Sequence, residues 1–163
     1  MLGLVTGCGG YPRLVNYPFG NNISSLNSSL TELTPQITRQ YLIFVSDRQQ
    51  HQDIYLYDLG ARSLLDTPEL NALDVVPADP VISANGLYIA FVALRGGQSN
   101  IYLYNRKTHQ LRNLTQSLLA QVRHPTLSAD GSIIAFESSA NGQWDILIYN
   151  RYGQPLDFNP IPD

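Results

Sequence analysis

The chain has 163 residues, a length that suits one domain, with 44% hydrophobic residues to supply a core and only 14% charged residues. Its net charge of −3 excludes a general electrostatic pull toward nucleic acid or anionic lipid. Its single cysteine, Cys8, excludes an internal disulfide, a cysteine framework and a zinc set. Ten tyrosines against one methionine and one tryptophan favour β-structure over a helix bundle.

At the start of the chain, Val5-Thr6-Gly7-Cys8 resembles a bacterial lipobox, in which small residues precede a cysteine that receives lipid and becomes the new N-terminus. Residues 1–8 are therefore read as a partial signal and lipobox-like segment, with Cys8 as the lipidation site and the only route to a membrane. Only seven residues precede it and none is basic, whereas a secretory signal starts with charge and runs longer; an ordinary tail cysteine is the alternative. The glycines around Cys8 do not make a phosphate loop, because G-x-G-x-x-G fails at Pro12. Residues 9–33 are rich in Asn, Ser, Gly and Pro, too poor in apolar content to order themselves, and read as a polar flexible tether.

From residue 34 to residue 163 the chain repeats itself. Tyr41-Leu-Ile-Phe44-Val-Ser…Asp53-Ile-Tyr-Leu-Tyr-Asp58 returns as Tyr88-Ile-Ala-Phe91-Val-Ala…Asn100-Ile-Tyr-Leu-Tyr-Asn105 and again as Ile133-Ile-Ala-Phe136-Glu-Ser…Asp145-Ile-Leu-Ile-Tyr-Asn150. The spacing is 47 positions from Phe44 to Phe91 and 45 from Phe91 to Phe136, the period of β-propeller blades. The second and third units open with an extended stretch, Pro80-Val-Ile-Ser83 and Pro125-Thr-Leu-Ser128. Asn85-Gly86 and Asp130-Gly131 then supply the positive φ that tight turns require. Apolar second strands follow (Leu87 to Val92, Ser132 to Glu137), then polar loops and third strands (Asn100 to Tyr104, Asp145 to Tyr149). A fourth strand is expected at Leu111 to Thr115 and, in the last unit, within Arg151 to Phe158. The first unit has Thr34-Pro35-Gln-Ile-Thr38-Arg39 without a glycine, so its inner strand is expected to be degenerate.

Pro125, Ser128, Asp130, Gly131, Ile133, Phe136, Asp145 and Ile146, with Asn100, Ile101, Tyr102, Leu114 and Thr115 one unit earlier, resemble the repeat of the TolB-type propeller family. The resemblance runs from about Leu33 to Leu156 and implies an all-β fold of three four-stranded antiparallel meanders. The α/β domain that precedes the propeller in that family is not expected in this chain, since too few residues precede Thr34. Three blades in an arc leave a bare face at each end, carrying side chains such as Leu42, Phe44, Ile134 and Phe136 or their alternates. The reading preferred here is half of a six-bladed ring, closed by dimerisation of two chains; an open domain capped by its own N-terminal tail, or completion by another protein, is the alternative.

In a meander, the loop entering each inner strand shares a rim with the loop between the second and third strands. That rim is expected to hold Arg48, His51, Asp79, Arg95, Arg123 and His124 as partner-binding residues, with Gln49, Asp74, Gly96 and Asn141 beside them. The alternative is that polar loops are polar because they are wet. The recurring Asp53, Asn100 and Asp145 read as loop-holding residues, and Tyr55, Tyr57, Tyr102 and Tyr104 as packing. His51, His109 and His124 form no metal spacing, and there is no G-x-S-x-G elbow, so no catalytic residue, metal or cofactor is assigned. The expected function is a non-catalytic protein- or peptide-binding scaffold in the bacterial periplasm or anchored to a membrane as a lipoprotein. The rival is a glycan-binding or hydrolytic propeller with a carboxylate or His–carboxylate site in its channel.

Overall fold

The computed structural model describes residues 25–71 and 74–158. Cys8 and the lipobox-like segment lie outside the described residues. The described residues form three antiparallel sheets and no helix. The first sheet holds β1 (Glu32–Ile37), β2 (Tyr41–Ser46), β3 (Asp53–Asp58) and β4 (Ser63–Leu65). The second holds β5 (Val76–Ile82), β6 (Tyr88–Arg95), β7 (Gln98–Asn105) and β8 (Gln110–Asn113). The third holds β9 (Val122–Leu127), β10 (Ile133–Ser138) and β11 (Asp145–Asn150). Strands lie in chain order within each sheet, the meander of a propeller blade.

The turn residues explain the repeat at atomic level. Ser83 Oγ donates to Asn85 Oδ1 at 2.7 Å and accepts the Tyr88 N–H at 3.0 Å, while Asn85 Oδ1 also takes the Leu87 N–H. Ser128 and Asp130 repeat the arrangement, with the Ile133 and Ser132 N–H groups each at 3.0 Å. The Ser132 N–H and the Ser128 and Ser132 hydroxyls hold the Asp130 carboxyl at a pKa of about 2. The first unit closes its turn differently: Thr38 Oγ1 accepts the Tyr41 N–H and Thr38 N–H donates to the Tyr41 carbonyl. Its inner strand, expected to be degenerate, therefore forms and pairs with β2 from Glu32 to Ile37.

Packing follows the two-residue alternation of the strands. Ile43, Val45, Ile54 and Leu56 on one face of blade 1 meet Ile82, Ile89, Phe91 and Tyr104 of blade 2. Ala90, Val92, Ile101 and Leu103 on the other face of blade 2 meet Ile134 and Phe136 of blade 3. The blades approach through their first strands: β5 touches β1, β2 and β3, and β9 touches β5, β6 and β7. β1, β5 and β9 are thus the inner wall of the arc.

Three sequence expectations are corrected. Ile134 and Phe136 are buried between blades 2 and 3, and the bare face of blade 3 carries the alternates Ile133 and Ile146. The fourth strand of blade 3 reduces to one bridge, Tyr149 to Pro155, because the chain turns sharply at Gly153 (φ 84°) and Pro155 has no N–H to extend a ladder. The last residues assigned to the tether are not free: β1 begins at Glu32, and the carbonyls of Ser25 and Leu26 are bound by Arg48.

The turn glycines differ in what surrounds them. A Cβ on Gly131 (φ 69°) would collide with the Tyr88 ring, whereas one on Gly96 (φ 57°) would meet open space. Gly131→Ala should cost more than about 2 kcal/mol in urea unfolding and Gly96→Ala only about 1 kcal/mol, the backbone cost alone. Equal losses would show that the Tyr88 contact does not matter.

Candidate functional site

The inner wall carries a strained position three times. β1, β5 and β9 each shift register at a residue that precedes a proline: Thr34, Asp79 and His124, with φ of 46°, 47° and 49°. A non-glycine residue in the left-handed region costs roughly 1–3 kcal/mol and persists only where its surroundings enforce it. A bulge also re-aims the side chain it displaces. Here it brings His124 of blade 3 toward Asp79 of blade 2, with Nε2 3.9 Å from Oδ2.

On its other side, His124 Nδ1 lies 3.2 Å from Glu137 Oε1. Arg123 Nε donates to Glu137 Oε2 at 2.6 Å, and its guanidinium lies 3.8 Å from the centre of the Trp144 ring. The hydrogen bonds from Arg123, then His124, hold the Glu137 carboxyl below its ordinary range. Arg123, Glu137 and Ile146 face one another directly across β9, β10 and β11, so they share the open face of blade 3. Trp144 is 44% exposed and Ile146 65% exposed beside them.

Asp79, Arg123 and His124 are therefore not on the rim loops where the sequence placed them. β5 begins at Val76 and β9 at Val122, and the bulges carry both strands through Pro80 and Pro125. Arg48 lies on the expected loop between β2 and β3, but its side chain turns away from the rim. Its side chain is 2% exposed, it pairs with Glu32 at 2.9 Å, and its guanidinium lies over both Phe44 and Tyr55. It covers the end face of blade 1, and Phe44, expected to be bare, is buried. His51 and Arg95 do lie on the rim. They line a groove of about 570 Å³ between blades 1 and 2, with Asp53, Asp74 and Gly96. His51 Nδ1 is 2.8 Å from Asp53, whose carboxyl is pushed up by burial against the opposing influence of His51. Arg95 reaches Asp74 only at 4.0 Å in full solvent.

Asp145 accepts from the Asn141 and Gln143 side-chain amides, holding its loop. No group of three metal-ligating side chains occurs among the described residues. Glu137 and Trp144 escaped the sequence reading as site residues. The signal was present for Glu137: it occupies the position of Val45 and Val92 in the other copies, a carboxylate in an apolar register.

No protein-family model and no curated protein matches the chain. Among solved structures, TolB from Acinetobacter baumannii is similar at 24% identity and a TM-score of 0.58, over 82% of this chain and 34% of that one. The β-propeller domain of the Trilobed protease from Pyrococcus furiosus, described as having an open velcro topology, is similar at 17% identity and a TM-score of 0.58, over 78% and 41%. A puromycin-hydrolyzing peptidase from Mycobacterium tuberculosis gives 15% identity and a TM-score of 0.61, over 81% and 24%. The chain spans less than half the length of each. The likeness establishes the fold, a TolB-like β-propeller.

Two predictions follow from these contacts. Arg48→Ala strips a buried cation from Glu32 and the covering layer from Phe44, and should lower unfolding free energy by about 2–4 kcal/mol; a loss under 0.5 kcal/mol, about the scale of a surface substitution, would show that Arg48 is dispensable. The folded-state pKa of Glu137 lies below its ordinary 4.5, so its contribution is complete above that pH and lost as pH falls through the lowered value. Glu137→Gln should flatten that part of the acid limb in a pH series of thermal melts, and an unchanged acid limb would contradict the assignment.

Proposed function

We propose that the chain is a non-catalytic protein- or peptide-binding scaffold of the bacterial cell envelope, engaging its partner on the inner wall and the open face of blade 3. The observation that carries this reading is the exposed Arg123–Trp144 stack, fixed by Glu137 and bordered by Ile146. Arginine and tryptophan dominate binding hot spots because they combine a large flat contact area with directed donors. Here the arginine is already oriented, so little side-chain entropy is lost on docking. The lipobox-like Val5–Cys8 segment and the TolB-type repeat support the envelope placement.

The preferred partner for the open face is a second copy, closing a six-bladed ring. Ala135, Ile146 and Ile148 occupy the positions that Ala90, Ile101 and Leu103 use to contact the next blade. Arg48 already lies over the blade 1 surface that such a copy would present, so closure must accommodate it.

One observation favours a hydrolytic reading: His124 stands between two carboxylates. The direction of the Glu137 shift weighs against it, since a general acid needs a carboxyl held above its ordinary pKa, whereas Arg123 holds this one below.

A photo-crosslinking residue in place of Ile146 should trap a defined partner chain in envelope extract. Trp144→Ala should reduce the product roughly tenfold or more without lowering the melting temperature, and Arg123→Gln, which leaves no like charge opposite Glu137, should reduce it as well. If the product is this same chain, light scattering should give twice the mass of one chain. A product insensitive to both substitutions would overturn the binding site, and turnover of peptide or glycoside substrates abolished by His124→Ala would overturn the non-catalytic reading.

A further inference from the structure

The molecule builds one arginine–tyrosine contact twice, at the junctions of blades 1 and 2 and of blades 2 and 3. At the first, Arg106 follows the end of β7, lies 4.9 Å from the centre of the Tyr41 ring and donates to the Gly86 carbonyl at 2.6 Å. At the second, Arg151 follows the end of β11, lies 5.0 Å from the centre of the Tyr88 ring and donates to its hydroxyl at 2.7 Å. Tyr41 and Tyr88 open β2 and β6, and Arg106 and Arg151 directly follow Asn105 and Asn150, so the two sets are equivalent.

The charges around them are not equivalent. Tyr41 faces Asp58 across β2 and β3, and the Asp58 carboxyl is held low by the Ala61 N–H, then by the Gln40 amide and the Gly60 N–H, with Arg106 the weakest influence. Tyr88 faces Asn105 across β6 and β7, so the carboxylate has become a neutral amide. Leu65, opposite Leu56, becomes Arg112, opposite Leu103. The first junction thus has one cation with a carboxylate in its neighbourhood, and the second has two cations and none.

The groove at the second junction encloses about 200 Å³, with Tyr88, Asn105, Gln110, Arg112, Arg151 and Tyr152 in its lining. Every other polar group there is an amide or a phenol. Among the described residues no carboxylate pairs with Arg112 or Arg151, although Arg48 and Arg123 have found Glu32 and Glu137. Asp130, on the neighbouring hairpin, is taken by Ser128 and Ser132. Arg112 lies 6.0 Å from the centre of the exposed Tyr152 ring, which flanks the opening.

We propose that the groove between blades 2 and 3 binds, at Arg112 and Arg151, a carboxylate supplied from outside the chain. Two guanidinium forks with flanking amide donors suit a planar carboxylate, which each fork can grip with two parallel hydrogen bonds. The volume admits one or two such groups and is below the roughly 300 Å³ at which pockets for larger ligands begin. The source is either a free dicarboxylate or an acidic side chain of a partner protein. The site lies at the opposite end of β10 and β11 from Glu137 and Trp144, so it stands or falls independently of the binding surface proposed above.

The test is an amide chemical-shift titration of the full chain at low ionic strength. The probes are succinate, a blocked Glu-Glu dipeptide, its Gln-Gln counterpart and inorganic phosphate. Succinate or the Glu-Glu peptide should move the Asn105 and Gln110 side-chain amides and the Gly153 backbone amide, while the Gln-Gln peptide should not. Arg112→Leu and Asn105→Asp, which restore the first junction's Leu65 and Asp58 at their equivalent positions, should each weaken binding about tenfold with an unchanged melting temperature. Response to both carboxylate probes would assign a free small acid, and response to the peptide alone an acidic protein segment; each supports the site. No response at the groove, equal affinity in Asn105→Asp, or tighter binding of phosphate than of either carboxylate would overturn the proposal.

Discussion

A four-stranded meander has two apolar faces and no second layer of its own, so a blade is stable only where another blade covers it. This constraint organises the chain. Blade 2 is covered on both sides, and residues on both faces of its strands β6 and β7, among them Ile89, Ala90, Phe91 and Ile101, are fully buried. Burying side chains of this size contributes on the order of 1.5–3 kcal/mol each, which makes the two inter-blade layers the main source of stability. The terminal blades have one such layer apiece and must treat the second face differently.

They do so by opposite means. Blade 1 keeps its aromatic pair, Phe44 stacked on Tyr55, and draws the Arg48 guanidinium over it, with Glu32 and two backbone carbonyls satisfying the cation. The planar, weakly hydrated guanidinium can cover rings in this way at lower desolvation cost than an ammonium group. Blade 3 instead changes its face: Glu137 stands where the other copies have valine, and Arg123 and Trp144 gather around it. A carboxylate in that row is incompatible with a dry blade contact unless its cation comes with it. The same substitution therefore makes the end of the arc more soluble and more specific in what it can meet.

The inner strands add a second constraint. Proline at Pro35, Pro80 and Pro125 would normally interrupt a strand buried against a neighbour, and the bulge with a left-handed residue before it lets each strand continue. Repetition makes the feature structural, while the residue placed at it, threonine, aspartate or histidine, sets the chemistry of the wall. The repeats thus act as internal controls: what is shared reports packing, and what differs, such as Asn105 for Asp58, Arg112 for Leu65 or Glu137 for Val92, reports what a particular blade does.

The sequence by itself determined the blade count, the hairpin turns and which strands repeat, because these depend on local chemistry: the two-residue alternation, the Ser-x-Asp-Gly turn, and the 45- and 47-residue period. It also marked His51 and Arg95 as rim residues from loop order alone. Only the tertiary structure decided that Asp79 and His124 lie along a wall rather than on a rim, since a bulge adds a residue without leaving a mark in the pattern of apolar positions. Only it decided that Arg48 covers a ring pair, because the groups it serves, Ser25, Leu26 and Glu32, are brought to it by the pairing of β1 with β2. And the choice between Ile134 and Ile133 as the exposed member of β10 required knowing which side of the sheet the neighbouring blade occupies, a matter of how blades stack and not of any residue's own preference.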